Sequence, residues 1–427
     1  MLKAAGKIII SAAVAAATFA VGEVRGQERA ESLFDRDRNV SVMQRPRPEY
    51  TSGGIQQGAL IFTPELNLGL EFTDNVFGTS ANEESDLIGV FNPTLGVETT
   101  WSRHAVTADA SVTRREYLDF SDESVWNYTA GAAGRLDIQR DAFLEAGLRY
   151  SQLTEARTSA GAANQAAEPI EFDTLNAFAG GRRAFGRVLL RGELGLDEVD
   201  YDDAPLFGGG IVDQDFRDHT QTKASARADF AVSPDTALFG RVRANERDYD
   251  LAPPNVPVLR DSEGYTVDAG ADFDINGVAR GVFGLGYTEQ DYESAALPDV
   301  DGVSVDGLIE WFPTQLTTVT VQAVRDVRDA PFANSGGFFA TSAGVNVDHE
   351  LRRNVIVSAG LTLSEDDYQG LDRTDERFSV NAGVTYFMNR NVGVRGSWTY
   401  TDQDSSGADA NQVFSRNVVG ISLVLRP

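Results

Sequence analysis

The sequence predicts an all-β protein, a transmembrane antiparallel up-and-down β-barrel of about eighteen strands. Three observations predict this class. Segments in which apolar and polar residues strictly alternate recur from about residue 58 to the end of the chain. Short and long connections alternate between these segments, and an N-terminal stretch with the features of a secretory signal precedes them.

The predicted strands are recognised by their period of two. Examples are "ALFGRVRA" at 237–244 and "VIVSAGLTL" at 355–363, in which successive side chains point to opposite faces. Alternate connections consist of turn residues such as "NG" at 276, whereas the others run for about 7 to 20 residues. A soluble β-sandwich, the main alternative, gives no reason for this segregation of loop lengths. Pro64 and Pro93 fall inside the first two strands and predict a local bulge or bend.

The chain divides into three parts. Residues 1–26 form a predicted signal peptide, with lysines before an apolar run and small residues at the candidate cleavage sites. Residues 27–57 are polar and contain closely spaced prolines, which predicts an extended periplasmic tether. Residues 58–427 form the predicted barrel, integral to a bacterial outer membrane with its long loops outside the cell. The tether is too short to supply a folded plug domain.

Composition excludes several functions. Asp and Glu number 64 against 37 Lys and Arg, so we expect no nucleic acid partner. The chain contains no cysteine and therefore has neither disulfides nor thiolate metal sites. Its three histidines fall on different ends of the predicted barrel, and no catalytic sequence motif is present. We predict that the protein is not an enzyme and has no tightly bound cofactor.

One face of several predicted strands carries charges of both signs, which would be costly against lipid hydrocarbon. In the segment at 237–244, for example, Arg241 and Arg243 lie opposite Leu238 and Val242. We therefore predict a wet lumen, and a barrel of about eighteen strands is wide enough to enclose an aqueous channel. The predicted pore-lining residues are Arg241, Arg243, Asp268, Asp272, Asp274 and Arg395.

Four predicted strands end in the motif E-x-D-Y, at 198–201, 246–249, 289–292 and 365–368. The alternation places both acids on the lipid-facing side and the tyrosine on the lumen side. These acids are either a solvated rim or a site for weakly bound Ca²⁺ or Mg²⁺ shared with phosphates of outer-membrane lipid and lipopolysaccharide. This predicted acidic collar comprises Glu198, Asp200, Glu246, Asp248, Glu289, Asp291, Glu365 and Asp367.

The stretch "VSVMQRPRPEYTSGGIQQGALIFTPELNLGLEFTDNVF" at 40–77, with "FNPTLGVETTWSRHAV" at 91–106, resembles the opening of the outer-membrane beta-barrel porin 2 family. The resemblance rests on the Arg-Pro-x-Pro-Glu-Tyr, Gly-Ile and Asp-Asn-Val-Phe elements. It implies a barrel and suggests a role in exopolysaccharide secretion, and it implies no catalytic residue.

We therefore predict an outer-membrane channel, a conduit or accessory pore for exopolysaccharide export. A general diffusion porin for small hydrophilic solutes and a structural or adhesive surface barrel remain alternatives. For a diffusion porin, residues 202–218 are the candidate loop that folds into the pore. Expected partners are the barrel assembly machinery and a polysaccharide export lipoprotein, which would dock on the tether at Arg45, Pro46, Arg47 and Pro48.

Overall fold

The computed structural model of the protein describes residues 40–162, 165–254, 256 and 258–427. Eighteen long strands and one strand of three residues form a single antiparallel sheet. The predicted signal peptide and the first part of the predicted tether lie outside the described residues. Within the described part of the chain, no helix has the length and apolar character needed to cross a bilayer.

The eighteen long strands are numbered here in chain order. They are β1 (Leu60–Thr73), β2 (Asp86–Thr99), β3 (Ala105–Tyr117), β4 (Val125–Gln139), β5 (Ala142–Thr154), β6 (Glu171–Phe185), β7 (Val188–Tyr201), β8 (His219–Ser233), β9 (Thr236–Tyr249), β10 (Ser262–Ile275), β11 (Ala279–Tyr292), β12 (Val300–Thr314), β13 (Thr317–Asp329), β14 (Gly337–Arg352), β15 (Val355–Tyr368), β16 (Thr374–Phe387), β17 (Val392–Ser406) and β18 (Phe414–Leu425).

Each strand pairs with the next, and β1 pairs with β18, so the sheet closes into a barrel. The closing ladder runs from Leu66 opposite Leu425 to Thr73 opposite Val418. Between Leu60 and Leu66, β18 no longer pairs with the edge of β1. The short strand Ile55–Gln57 folds back and pairs with Leu60–Phe62 along that part of the edge. The predicted closed barrel of about eighteen strands is confirmed.

The connections give the barrel two distinct ends. At the short-turn end, strands are joined by two to five residues, as at 140–141 and 100–104. Asn276 and Gly277 both have positive φ there, which the tightest hairpin turns require. At the long-loop end the connections have 5 to 17 residues, from 369–373 to 202–218. The long loops contain single-turn helices at Ser121–Glu123 and Asp215–Arg217, and a two-stranded pair of Ala204–Pro205 with Ile211–Val212.

The distribution of side chains is inverted relative to a water-soluble protein. The outward residue Leu194 is 65% exposed, whereas Asp229 and Asp272 on the inner face are each 1% exposed. Outward aromatic residues form two belts, Tyr128, Tyr150, Tyr265 and Tyr287 toward the long-loop end and Phe185, Trp311 and Tyr386 toward the short-turn end. Aromatic belts of this kind mark the two interfaces of a membrane.

The prolines in the first two strands do not produce the expected bulge. The ladder between β1 and β2 keeps one register through Pro64 and Pro93. Between β2 and β3 the pairing is interrupted at Asn92 and Pro93 and then resumes in the same register. The side chain of Asn92 donates to the main-chain oxygen of Val112 at 2.9 Å and so supplies a donor beside the proline, which has none.

Candidate functional site: the channel interior and its mouths

The predicted pore-lining residues Arg241, Arg243 and Asp268 belong to one ion-pair network on the inner face of β9 to β13. Arg241 lies 3.0 Å from Asp268 and 2.7 Å from Asp306. Arg243 lies 3.8 Å from Asp268 and 3.7 Å from Asp326. Asp268 is held between the two arginines and is buried. Buried charges require such partners, because an unpaired ion in the interior is strongly destabilising.

The other three predicted pore-lining residues have different surroundings. Asp272 is fully buried. Asp274 accepts a hydrogen bond from the main-chain N–H of Gly277 at 3.1 Å and thereby holds the turn between β10 and β11. Arg395 lies half-buried on the inner face of β17. The predicted set is therefore largely a buried structural layer of the wall.

The most exposed charged pair on the inner face is one that sequence reasoning missed. Arg149 on β5 contacts Asp109 on β3 through two hydrogen bonds of 2.9 and 2.7 Å. The guanidinium crosses Gly131 on β4, where an added Cβ would lie only 3.0 Å away. Alternation along β3 and β5 places both residues inward, so the period-2 pattern contained the signal.

The collar acids have outward parity in the structure, as the alternation predicted, and neighbouring strands add further acids. Cross-strand partners of like charge are Glu246 with Glu263, Glu365 with Glu376, and Asp200 with Asp173. Such pairs are unfavourable without counterions. Among the described residues, however, only Asp203, Asp213 and Asp215 bring three carboxylates within metal-ligand distance of one another, and all three are exposed.

The tyrosines of the E-x-D-Y motifs anchor the long loops. The main-chain N–H groups of Tyr201, Tyr249 and Tyr292 donate to Asp218, Asp261 and Asp299, each the last residue before the next strand. Their rings point inward. Arg217 lies 3.8 Å from the centre of the Tyr201 ring, and Arg260 lies 4.3 Å from that of Tyr249. In the sequence, this contact is marked by an Asp immediately before the strand that follows each of these three motifs. In two of the three cases an Arg precedes that Asp.

The wall is split at the long-loop end between β12 and β13. Their ladder stops at Val305 opposite Arg325, although both strands continue toward the loops. Beyond that point β12 pairs only with β11, and β13 pairs only with β14. Residues 326–340, here called the inner hairpin, comprise the ends of β13 and β14 and the loop 330–336.

The inner hairpin passes over the inner face of β10 to β12 and contacts β9. Asp329 lies 2.6 Å from Arg247 on β9, although three strands separate β9 from β13 in the sheet. Arg260 donates to the main-chain oxygens of Ala330 at 2.5 Å and of Phe216 at 3.0 Å. The inner hairpin therefore occupies part of the long-loop mouth.

Other long loops pack around the inner hairpin through buried polar contacts. Arg157 forms an ion pair with Glu123 at 2.6 Å, and Arg217 pairs with Glu155 at 2.9 Å. Gln412 donates to the main-chain oxygen of Arg157 at 2.7 Å. The loop 202–218, the candidate constriction loop, has an exposed tip at Phe207 and Ile211. The role of this loop as a constriction in a diffusion porin stays a prediction.

Acidic groups in the loop 202–218 have shifted pKa values. Burial raises the pKa of Asp218 to about 6, with a further contribution from the nearby carboxylates of Asp200, Asp215 and Asp250. Burial and acidic neighbours also raise the pKa values of Asp202 and Asp215. The foot of this loop therefore favours protonation more than an isolated carboxyl group does.

The described part of the predicted tether is folded at the short-turn end. Residues 41–51 form two turns, so the expected extended backbone is not found there. Arg45 and Arg47 lie 3.2 and 3.1 Å from Glu350, and Arg47 is buried. Val42 donates its main-chain N–H to Thr318 at 2.9 Å. Pro46 accepts a hydrogen bond from Arg353 through its main-chain oxygen, whereas Pro48 begins the second turn.

Comparison with known proteins gives one family and several distant structures. The family profile described as "Putative beta-barrel porin 2" matches residues 47–427. Similar solved structures include a mutant of the ferric enterobactin receptor PfeA from Pseudomonas aeruginosa in complex with enterobactin. That structure is 7% identical, with 87% of this chain and 82% of that chain covered and a TM-score of 0.49.

A BenF-like porin from Pseudomonas fluorescens is 10% identical, with 86% and 99% of the two chains covered and a TM-score of 0.46. Likenesses at this level carry no argument about function. No curated protein sequence matches the chain.

Proposed function

The chain belongs to the beta-barrel porin 2 family and forms an outer-membrane β-barrel, and from this premise we propose that it conducts a hydrated exopolysaccharide out of the cell. The observation that carries the proposal is the character of the inner face. It combines exposed charges such as Arg149 and Asp109 with hydroxyl and amide groups such as Ser379, Thr401 and Asn346. Many weak hydrogen-bonding sites suit a sliding polymer, whereas an apolar wall would dewet and close the passage.

The proposed orientation places the long loops outside the cell and the short turns in the periplasm. Outer-membrane barrels commonly have short periplasmic turns and longer external loops. The long loops would then surround the external mouth, and residues 41–51 would lie at the periplasmic mouth. This placement follows from loop length.

The proposed partner is a periplasmic export protein that engages residues 41–51. These residues contact the barrel through Glu350 and Thr318, close to the short-turn mouth. A partner that bound Arg45 and Arg47 in place of Glu350 would release the segment from the wall. The docking surface would therefore be a folded segment rather than the extended one expected from its prolines.

Deletion of the gene tests the function. Polymer should accumulate in the periplasm or be absent from the cell surface, while uptake of small hydrophilic solutes stays unchanged. Restoring the wild-type gene is the control, and a variant with Arg149→Gln and Asp109→Asn tests whether the exposed pair takes part in passage. Normal surface polymer combined with reduced small-solute uptake would refute export and favour a general diffusion porin.

A further inference from the structure

The inner hairpin places the carboxylate of Asp329 beside basic side chains on the inner face of β8 and β9. Asp329 lies 2.6 Å from Nη1 of Arg247 and 3.8 Å from Nε2 of His219. Arg260 binds the main-chain oxygen of the next residue, Ala330. Both arginines are buried, with exposures of 6% for Arg247 and 2% for Arg260. The hairpin therefore supplies one oxygen contact to each of these two guanidinium groups, and Phe216 supplies a second one to Arg260.

Beside Arg247 and Arg260 lies the ring of Tyr292, which the hairpin covers with the backbone of two glycines. Gly336 and Gly337 pack against Tyr292, the last residue of an E-x-D-Y motif. A Cβ at Gly336 would come within 2.5 Å of the ring carbons, and one at Gly337 would come within 2.5 Å of the hydroxyl oxygen. Side chains at these positions would therefore push the hairpin off Tyr292.

The alternation of residues in the inner hairpin also fits a second position, in which β13 continues to pair with β12 in the barrel wall. Val327 and Phe339 follow the outward, lipid-facing alternation of β13 and β14, yet they are buried with Tyr292 and Val300 from the inner face. If the β12–β13 ladder continued in its present register, Val327 would lie opposite Val303, which is exposed on the outer face. The zipped ladder would gain hydrogen bonds and return these apolar side chains to lipid.

We propose that Arg247, Arg260 and the ring of Tyr292 form a binding site for an acidic sugar unit, which the inner hairpin occupies when it lies in the lumen. A ring face stacks on a sugar, and two guanidinium groups bind its carboxylate. Asp329 and the backbone of the two glycines fill the same positions in the structure. The saccharide nature of the ligand rests on the proposed export function.

Competition between ligand and hairpin follows because a ligand carboxylate and Asp329 would contact the same guanidinium group, that of Arg247. If Asp329 left without a replacement, Arg247 would lose that charged partner. A uronate carboxylate would replace Asp329 at Arg247 and so favour the position in which β13 is zipped to β12. Binding of the acidic polymer would thereby clear the long-loop mouth.

The absence of cysteine allows each hairpin position to be locked separately. A Cβ at Gly161 would lie 2.8 Å from Cβ of Pro331, which is closer than the separation of about 3.8 Å in a disulfide, so Gly161→Cys with Pro331→Cys should cross-link the hairpin in the lumen after a small displacement of the backbone. Val303→Cys with Val327→Cys should cross-link only the zipped ladder. Thr362→Cys with Ser379→Cys, opposite each other on β15 and β16, is the control pair. Folding of every variant is checked by gel migration that depends on boiling.

Conductance in planar bilayers gives the first readout. The oxidised Gly161/Pro331 pair should hold conductance at its lowest level until it is reduced, and the oxidised Val303/Val327 pair should hold it at its highest. The control pair should match the wild type in both redox states. Failure of the Val303/Val327 pair to cross-link, or equal conductance of the two locked forms, would overturn the proposed movement.

Ligand selectivity gives the second readout. In the Asp329→Asn variant, trigalacturonate should change the current at a concentration at least about tenfold below that needed for the neutral sugar maltotriose. Arg247→Gln added to that variant should abolish the difference. Equal potency of the two sugars, or selectivity that survives Arg247→Gln, would refute the site. The deletion phenotype tests export separately, so the two failures can be told apart.

Discussion

Two arginine–aspartate sites on the inner wall use the same chemistry and differ in accessibility. The side chains of Arg149 and Asp109 are 45% and 48% exposed. Those of Arg241 and Asp268 are 18% and 3% exposed. Both sites face inward by strand alternation, but only the second lies on the side of the lumen where other inward side chains and the inner hairpin pack over the wall.

The difference shows that alternation determines the face of a side chain and not its contact with water. Phe239 lies over Gly270 and Gly284 beside the buried site, and Arg243 covers Asp268. Among the residues that the structure describes, no comparable layer covers Arg149. An exposed pair contributes about 0 to 1 kcal/mol, whereas breaking a buried pair costs about 3 to 5 kcal/mol. We therefore expect changes at the exposed pair to affect mainly passage through the lumen, and changes at the buried pair to affect mainly the stability of the barrel.

The largest expected effect is on the buried site. Asp268→Asn should lower the free energy of unfolding by about 3 to 5 kcal/mol, because Arg241 and Arg243 both lose Asp268, one of the two carboxylates that each of them contacts. The matched change Asp109→Asn should lower it by no more than about 1 kcal/mol. Urea unfolding in lipid vesicles, followed by tryptophan fluorescence, measures both. Equal losses would remove the distinction between the two sides of the lumen.

The second effect extends the comparison to the short-turn mouth. Glu350 is buried and binds Arg45 and Arg47, whereas Arg353 is 46% exposed and lies 3.7 Å from the same carboxylate. Glu350→Gln should weaken the attachment of residues 41–51 by about 1.5 to 3 kcal/mol. Hydrogen exchange in that segment should become about tenfold faster or more. Arg352→Gln, at the exposed last residue of β14, is the control and should leave exchange nearly unchanged.

The third effect concerns a partly covered acid, Asp218, and depends on pH. Its pKa of about 6 in the folded loop lies above the value of an unfolded aspartate, which is about 4. Its contribution to stability is therefore complete below about pH 4 and is lost as the pH rises through about 6. Proteolysis of the loop 202–218 should be a few-fold faster at pH 7.5 than at pH 5.

Protease concentration is adjusted in that experiment so that an unfolded substrate is cleaved at the same rate at both pH values. Asp218→Asn should remove most of the pH dependence, because the amide oxygen still accepts the Tyr201 N–H and cannot ionise. Asp213→Asn in the same loop is the control. An unchanged pH dependence in Asp218→Asn would assign the effect to another group.

The smallest effect is expected at the acids of the collar, six of which are exposed, whereas Glu289 and Asp367 are half-buried. If they share divalent cations with lipid phosphates, chelation should lower the melting temperature of the barrel in outer-membrane lipid by a few degrees. Replacing the eight collar acids by Gln and Asn should remove that dependence. If chelation leaves the wild type unchanged in this lipid, the collar is a solvated rim.

The sequence contained the local features of the fold. Alternation and turn residues predicted the strand number and the strands that end in E-x-D-Y, because both depend on neighbouring residues. The inner hairpin was missed, since residues 337–344 have the composition of an ordinary strand. Its position depends on Asp329 meeting Arg247, a pair 82 positions apart in sequence that no local pattern joins.

The folded segment 41–51 was missed for the same reason. Its prolines favour extended backbone, but the contact of Arg47 with Glu350 spans 303 positions and outweighs that preference. For the pore-lining residues, alternation identified the inner face of Arg241 and Asp268. It could not indicate that these charges are buried while those of Arg149 and Asp109 are exposed.

The short strand Ile55–Gln57 bears on how the barrel is assembled. Because β18 stops opposite Leu66, ring closure leaves the lower edge of β1 with unsatisfied hydrogen-bonding groups. A bare edge of this kind can recruit a strand from another molecule. The chain covers it with residues that were synthesised before any barrel strand. A segment that precedes the first barrel strand therefore completes the seam, and a newly closed barrel remains open to strand addition from a neighbour until this segment has paired.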